Sequence, residues 1–227
     1  MKFDAVVLDM DGVLVDVSRS YNEAIVRTAS ELLQAAGCAK RVSPAERDAI
    51  KAIAGFNNDW DAVFALVQRR VDGRRFEPLS PAERGSALYL RVKSVFERYY
   101  WNGGEGFITR EKPLASNAAL EALSQFKLGI VTGRPRAEAL FAVTKFGWTS
   151  FFPPRAIVAL EDCAFEKPRP EPIVECLKRL GASRAVYAGD SVNDELAARA
   201  AGCEFFKVSP ARSVNELPSF VRALENA

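Results

Sequence analysis

At 227 residues, 48% hydrophobic and 26% charged, the chain has the composition of a soluble globular protein with room for one good core and a smaller satellite domain. Its net charge of +2 offers no standing attraction to nucleic acid or an anionic membrane, and no apolar run approaches the ~18 residues that would span a bilayer. It has no histidine, which excludes Ser-His-Asp and Cys-His catalysis, His-ligated zinc and a phosphohistidine, and leaves acid–base work to carboxylates, Lys, Tyr or Cys.

Phe3 to Leu8 reads as a buried strand, delivering Asp9 and Asp11 to its carboxyl end before Gly12 turns the chain. Residues 16 to 107 read as nearly all helix. Asp16 or Ser18 can cap a first helix that runs to Ala36 and stops at Gly37. Ser43-Pro44-Ala45-Glu46 is a capping box with proline at the first helical position, and Ser80-Pro81-Ala82-Glu83 repeats the device. Between them a helix starts near Asn58 with Trp60, Val63, Phe64 and Val67 at helical spacing. The last of these four helices is expected from Ser80 to about Tyr100, and the run Trp101 to Gly106 reads as a glycine-rich linker. The remainder alternates. Strands are expected at Leu128–Val131, Ala156–Ala159, Ala185–Ala188 and Glu204–Val208, with helices at Arg136–Phe146, Pro172–Leu180 and Glu195–Ala201. Short, fully apolar strands between helices imply a parallel sheet covered on both faces. Cys38, Cys163, Cys176 and Cys203 have no C-x-x-C spacing and read as reduced thiols. With no signal-peptide pattern after Met1-Lys2, a cytoplasmic location is expected.

Ligands in such sheets bind at the carboxyl ends of the strands. Those ends carry Asp9 and Asp11, then Thr132-Gly133-Arg134, then Lys167-Pro168, then Gly189-Asp190-Ser191-Val192-Asn193-Asp194. Taken singly, each is ordinary turn or cap chemistry. Together and in this order they suit phosphoryl transfer to water. Asp9 can attack phosphorus, and Asp11 can protonate the leaving oxygen and then activate water. Thr132 and the Gly133 amide can grip phosphate oxygens, and Lys167 can balance the charge that gathers on the transferring group. Asp190 and Asp194 can complete an oxygen cage for Mg2+.

On these motifs the chain resembles the haloacid dehalogenase superfamily, in the subgroup with an α-helical cap inserted after the first motif. The resemblance implies an α/β fold: a Rossmann-like, doubly wound parallel sheet core (1–15 and 108–227) with the cap at 16–107. It implies Asp9 as nucleophile and Asp11 as general acid/base. It also implies magnesium held by the Asp9 side chain, the Asp11 carbonyl and Asp190, with Asp194 acting through water or in support. Thr132 and Lys167 would bind phosphate. True dehalogenases of the superfamily lack the second acid, so Asp11 favours a phosphatase. Phosphonate-cleaving relatives use a cap lysine, and neither Lys40 nor Lys51 sits in a matching context.

The expected activity is therefore a magnesium-dependent phosphatase acting on a small phosphorylated metabolite, with no nucleic-acid or membrane partner. A sugar phosphomutase, whose relatives commonly use a cap histidine, and a catalytically silent phosphate-binding module are the alternatives. Specificity is expected from Asn57, Asn58 and Trp60 in the run Gly55 to Trp60, and from Arg134. The competing reading gives Asn58 to helix capping, Trp60 to bundle packing and Arg134 to a helix start. Two crossings with a glycine-rich run would let the helical block act as a lid over the leaving group.

Overall fold

The computed structural model describes residues 2–53, 55–56 and 58–226, so Asn57 lies outside the described residues. Two compact units divide the chain: Met1–Asp16 with Lys112–Ala227, and Val17–Glu111.

The first unit opens with β1 (Ala5–Leu8), whose four side chains are completely buried. Burial of each large aliphatic there is worth about 1.5–3 kcal/mol. A tight turn follows, in which Leu14 and Val15 both donate to the Met10 carbonyl at 2.9 Å, and it leads into the two-residue β2 (Val15–Asp16).

The second unit is helical: α1 (Tyr21–Ala35), α2 (Pro44–Lys51), α3 (Asp59–Asp72), α4 (Pro81–Arg84) and α5 (Ala87–Tyr100). Ala24, Ile25, Thr28, Ala29, Leu32 and Leu33 form the buried stripe of α1, set against α3 and α5. The capping boxes at Ser43 and Ser80 both form. Two expectations need correction. Neither Asp16 nor Ser18 caps α1: Ser20 stands at the cap position, buried, with its hydroxyl donating to Glu111 at 2.8 Å. The helix expected over 80–100 is also two helices. At the Gly85-Ser86 step the Ser86 hydroxyl donates to the Glu83 carbonyl at 2.7 Å and accepts from the Tyr89 amide at 3.2 Å, ending α4 and capping α5. The glycine-rich run 101–106 stays within the helical unit. Ile108 is buried beyond it, and Glu111, also buried, accepts from Tyr100 at 3.2 Å as well as from Ser20.

The chain re-enters the first unit at β3 (Lys112–Pro113), which pairs antiparallel with β2. Then come α6 (Asn117–Leu123), β4 (Lys127–Val131), α7 (Arg136–Lys145), β5 (Ile157–Val158), α8 (Glu171–Leu180), β6 (Ala185–Gly189), α9 (Val192–Ala200), β7 (Glu204–Lys207) and α10 (Leu217–Asn226). Among the described residues the main sheet has five strands in the order β5-β4-β1-β6-β7, all parallel. Ile173, Cys176 and Leu177 of α8 pack into one core cluster with Ala5, Val7, Val131, Val158 and Tyr187. The fold is the expected α/β, doubly wound parallel sheet. The chain runs outward from β1 through β4 to β5, then returns to β6 on the other side. The reversal leaves a crevice at the carboxyl ends of β1 and β6, where open parallel sheets bind ligands. No helix among the described residues is long and apolar enough to cross a membrane.

Candidate active site

Register brings the strand-end residues together. Leu8 lies beside Ile130 on β4 and Ala188 on β6, so residues just after these strands share one edge of the sheet. Asp9 is buried there, and its Oδ1 receives the Lys167 ammonium at 2.8 Å. Lys167, at the cis Lys167–Pro168 bond in the loop after β5, also contacts Asp194 Oδ1 at 2.6 Å and the Tyr187 hydroxyl at 3.2 Å. Tyr187 in turn donates to Asp194 Oδ1 at 3.1 Å. The other Asp194 oxygen accepts from the Ser191 amide at 3.0 Å in the capping box that starts α9. Gly189 makes this approach possible: a Cβ there would lie 2.3 Å from the Asp194 Cβ.

Charge in this cluster is strongly perturbed. Burial pushes the Asp9 carboxyl well above its usual range, against the pull of Lys167. Burial also opposes ionisation of Asp194, but Lys167 and Ser191 outweigh it and hold that carboxyl below its usual value. Desolvation works to neutralise Lys167, yet Asp9, Tyr187 and Asp194 keep the ammonium charged and raise its pKa. Asp190 stands at the exposed rim, and the walls around its carboxylate, with Asp194 nearby, push it up to about 6. A cation placed among these carboxylates would offset both their burial and their mutual repulsion.

The donor set fits such a cation. Asp9, Asp190 and Asp194 present carboxylate oxygens within 4.8 Å of one another, and all are hard oxygen donors of the kind magnesium takes. Among the described residues the Asp190 carboxylate accepts no hydrogen bond, and Asp9 keeps one oxygen uncommitted, whereas both Asp194 oxygens are already engaged. Asp9 and Asp190 could thus offer oxygens to a metal, with Asp194 beside them. Gly12 lies against this group: at φ +72° with no side chain, it leaves the space occupied by the Asp190 carboxylate.

Opposite the acids, Thr132 is buried at the end of β4, its amide bonded to the Val158 carbonyl at 3.0 Å. Its Oγ1 accepts from the Arg134 amide at 3.2 Å, which leaves the hydroxyl proton for a ligand. The Gly133 amide finds no acceptor among the described residues, and Gly133 is exposed. The structure therefore brings Asp9, Asp11, Thr132, Gly133, Lys167, Asp190 and Asp194 to one strand edge of the first unit.

The specificity candidates divide between the two units. In the helical unit Asn58 caps α3, its Oδ1 accepting from the Trp60 amide at 2.9 Å, and the Trp60 ring lies 4.2 Å below the Lys93 ammonium. Arg134 belongs to the first unit but is completely buried, with its guanidinium on Asp11 at 2.7 Å. Two contributors escape the sequence reading. Tyr187 sits inside an apolar strand and reads there as core. Lys207 ends β7 and donates to the Asp190 carbonyl.

A family model described as haloacid dehalogenase-like hydrolase matches residues 3–202. The chain belongs to the haloacid dehalogenase-like hydrolases. It is 28% identical over 211 residues to a phosphoglycolate phosphatase of Yersinia pestis, covering 89% of this chain and 81% of that protein. It is 34% identical over 211 residues, or 90% of its length, to an imidazoleglycerol-phosphate dehydratase of Phytophthora nicotianae, of which it spans only 43%. Among solved structures, the phosphatase Tt82 from Thermococcus thioreducens superposes with a TM-score of 0.73 at 26% identity, covering 98% of this chain and 100% of that one. The matched family is one of hydrolases, and proteins named as phosphatases are among those this chain resembles.

Proposed function

We propose that the protein is a magnesium-dependent phosphatase that hydrolyses a small phosphorylated metabolite through an aspartyl-phosphate on Asp9. The observation that carries this reading is the Asp9 carboxylate. It is buried at the end of β1, one of its oxygens is held by Lys167, and the carboxylate presents an oxygen within 4.8 Å of those of Asp190 and Asp194. In this reading Asp9 attacks phosphorus while the Thr132 hydroxyl and the Gly133 amide hold phosphoryl oxygens. Lys167 keeps its contact with Asp194 and offers its charge to the transferring group. Asp11 gives a proton to the departing oxygen, then takes one from the water that opens the acyl-phosphate. Asp9 and Asp190 would hold magnesium, supported by Asp194 and the Asp11 carbonyl; when bound, it would neutralise charge on nucleophile and phosphate.

The experiment is a screen of phosphorylated metabolites, with magnesium and with EDTA, read by release of inorganic phosphate. 2-Phosphoglycolate and imidazoleglycerol phosphate belong in it because relatives are named for them. Magnesium-dependent phosphate release is expected. Transfer of phosphate within a sugar without release would make the protein a phosphomutase. Binding without turnover would make it a phosphate-binding module.

A further inference from the structure

The expected role of Arg134 was contact with substrate, and its placement argues for something else. A guanidinium is costly to bury and is retained only where a partner offsets its desolvation. This side chain has no exposed surface, and it meets an Asp11 side chain that stays 35% exposed. Nε and Nη2 both donate to Asp11 Oδ1, the first at 2.7 Å. The backbone is pinned as well: the Arg134 amide donates to Thr132 Oγ1 at 3.2 Å, and its carbonyl accepts from the Leu160 amide at 2.9 Å.

We infer that Arg134 is a positioning residue for Asp11: it clamps Oδ1 of a side chain that is still 35% exposed, so that the carboxyl group is held in place yet open to a leaving group. A free aspartate has two rotatable side-chain bonds. Asp11 lies within electrostatic reach of Asp9 and Asp190, which repel it. A cation fixed on its far side holds it in place despite that repulsion. The clamp joins the loop after β1 to the turn after β4, so the proton donor and the phosphate-binding turn hold a constant separation. A well-placed acid is worth about 10²–10⁴-fold, and small misplacements forfeit much of it.

The inference rests on the reading of Asp11 as the acid for the leaving group, and the test separates the two. Arg134→Lys, Arg134→Met, Asp11→Asn and the double variant Asp11→Asn/Arg134→Met are assayed on p-nitrophenyl phosphate and on an alkyl monoester that the wild type hydrolyses. Thermal melts check folding. Arg134→Met should lose about 10–100-fold in kcat on the alkyl ester and within about threefold on the aryl ester, with KM little changed on both. Arg134→Lys should fall between. The double variant should be no slower on the alkyl ester than Asp11→Asn alone, because the clamp acts only through that acid. Equal losses on the two esters, a rise in KM at constant kcat, or additive losses in the double variant would overturn the inference. Should Asp11→Asn itself fail to discriminate the esters, the mechanistic reading falls and takes the clamp with it. If neither Arg134 variant folds, the wild-type crystal structure with beryllium fluoride decides. Arg134 within hydrogen-bond distance of Asp11 supports the clamp, and Arg134 on the fluoride overturns it.

Discussion

Gly12→Ala puts the geometry of the proposed metal site under direct strain. Gly12 has φ +72°, and a non-glycine residue in that left-handed region costs about 1–2 kcal/mol. The larger effect is local. The added Cβ would lie 2.1 Å from Asp190 Oδ2 and 2.8 Å from Cγ, where ordinary contact begins at 3.4 Å. The carboxylate must therefore retreat by more than an ångström. Magnesium demands oxygens at about 2.0–2.1 Å in near-ideal geometry and does not follow a ligand so far. The apparent magnesium constant, read from activity against magnesium concentration, should rise about 10–100-fold. The melting temperature should fall by only about 2–8 °C. Gly85→Ala is the matched control: its Cβ meets the Ala82 and Pro81 carbonyl oxygens at 3.6 Å, an ordinary contact, and it lies in the helical unit. It should leave the magnesium constant alone. A Gly12→Ala enzyme that folds and keeps its magnesium constant within threefold of the wild type would refute the assignment of Asp190 as a ligand.

Three further outcomes are expected. Asp9→Asn should lower kcat by at least ~10³-fold while preserving the melting temperature within a few degrees; near-normal turnover in a sample free of wild type would remove Asp9 as nucleophile. Asp190 is held near 6 without metal, so below that pH a proton occupies the carboxylate that magnesium needs. Apparent magnesium affinity should then weaken as pH falls from 7 to 5, by up to about tenfold per unit below 6, and a calorimetric titration flat across that range would contradict it. Lys167→Met strips the cation paired with buried Asp9 and Asp194 and should destabilise the protein by about 3–5 kcal/mol in urea unfolding; a loss under ~1 kcal/mol would show that the cluster is not held by that charge.

The sheet and the residues gathered at its strand ends were legible because two signals coincide. Short apolar runs such as Ala5–Leu8 and Ala185–Ala188 have no polar residue to spare, so the acids, hydroxyl and amine that follow them stand out. The side-chain directions were not legible. Arg134, after Thr132-Gly133, reads as a substrate contact or as a helix start, and its buried contact with Asp11 is visible only in the structure. Tyr187 is hidden by its setting, since an aromatic in a buried strand is ordinary packing until its hydroxyl is seen between Lys167 and Asp194. Local helix signals were stronger than their extents. The Ser80 box marks a real start, but the Gly85-Ser86 step ends that helix after one turn, and nothing in the apolar spacing downstream reveals the break. The two-residue β2 and β3 are too short to leave a periodic pattern.

The central claim is the covalent phosphoryl group on Asp9, and trapping it is the most direct test. The enzyme would be quenched in acid during turnover of a labelled substrate with magnesium present, reduced with borohydride and mapped by mass spectrometry. The account predicts label that appears within one turnover, disappears on chase, and converts residue 9 to homoserine on reduction, with none in EDTA. Rapid turnover with no label on Asp9, or label on another residue, would contradict it.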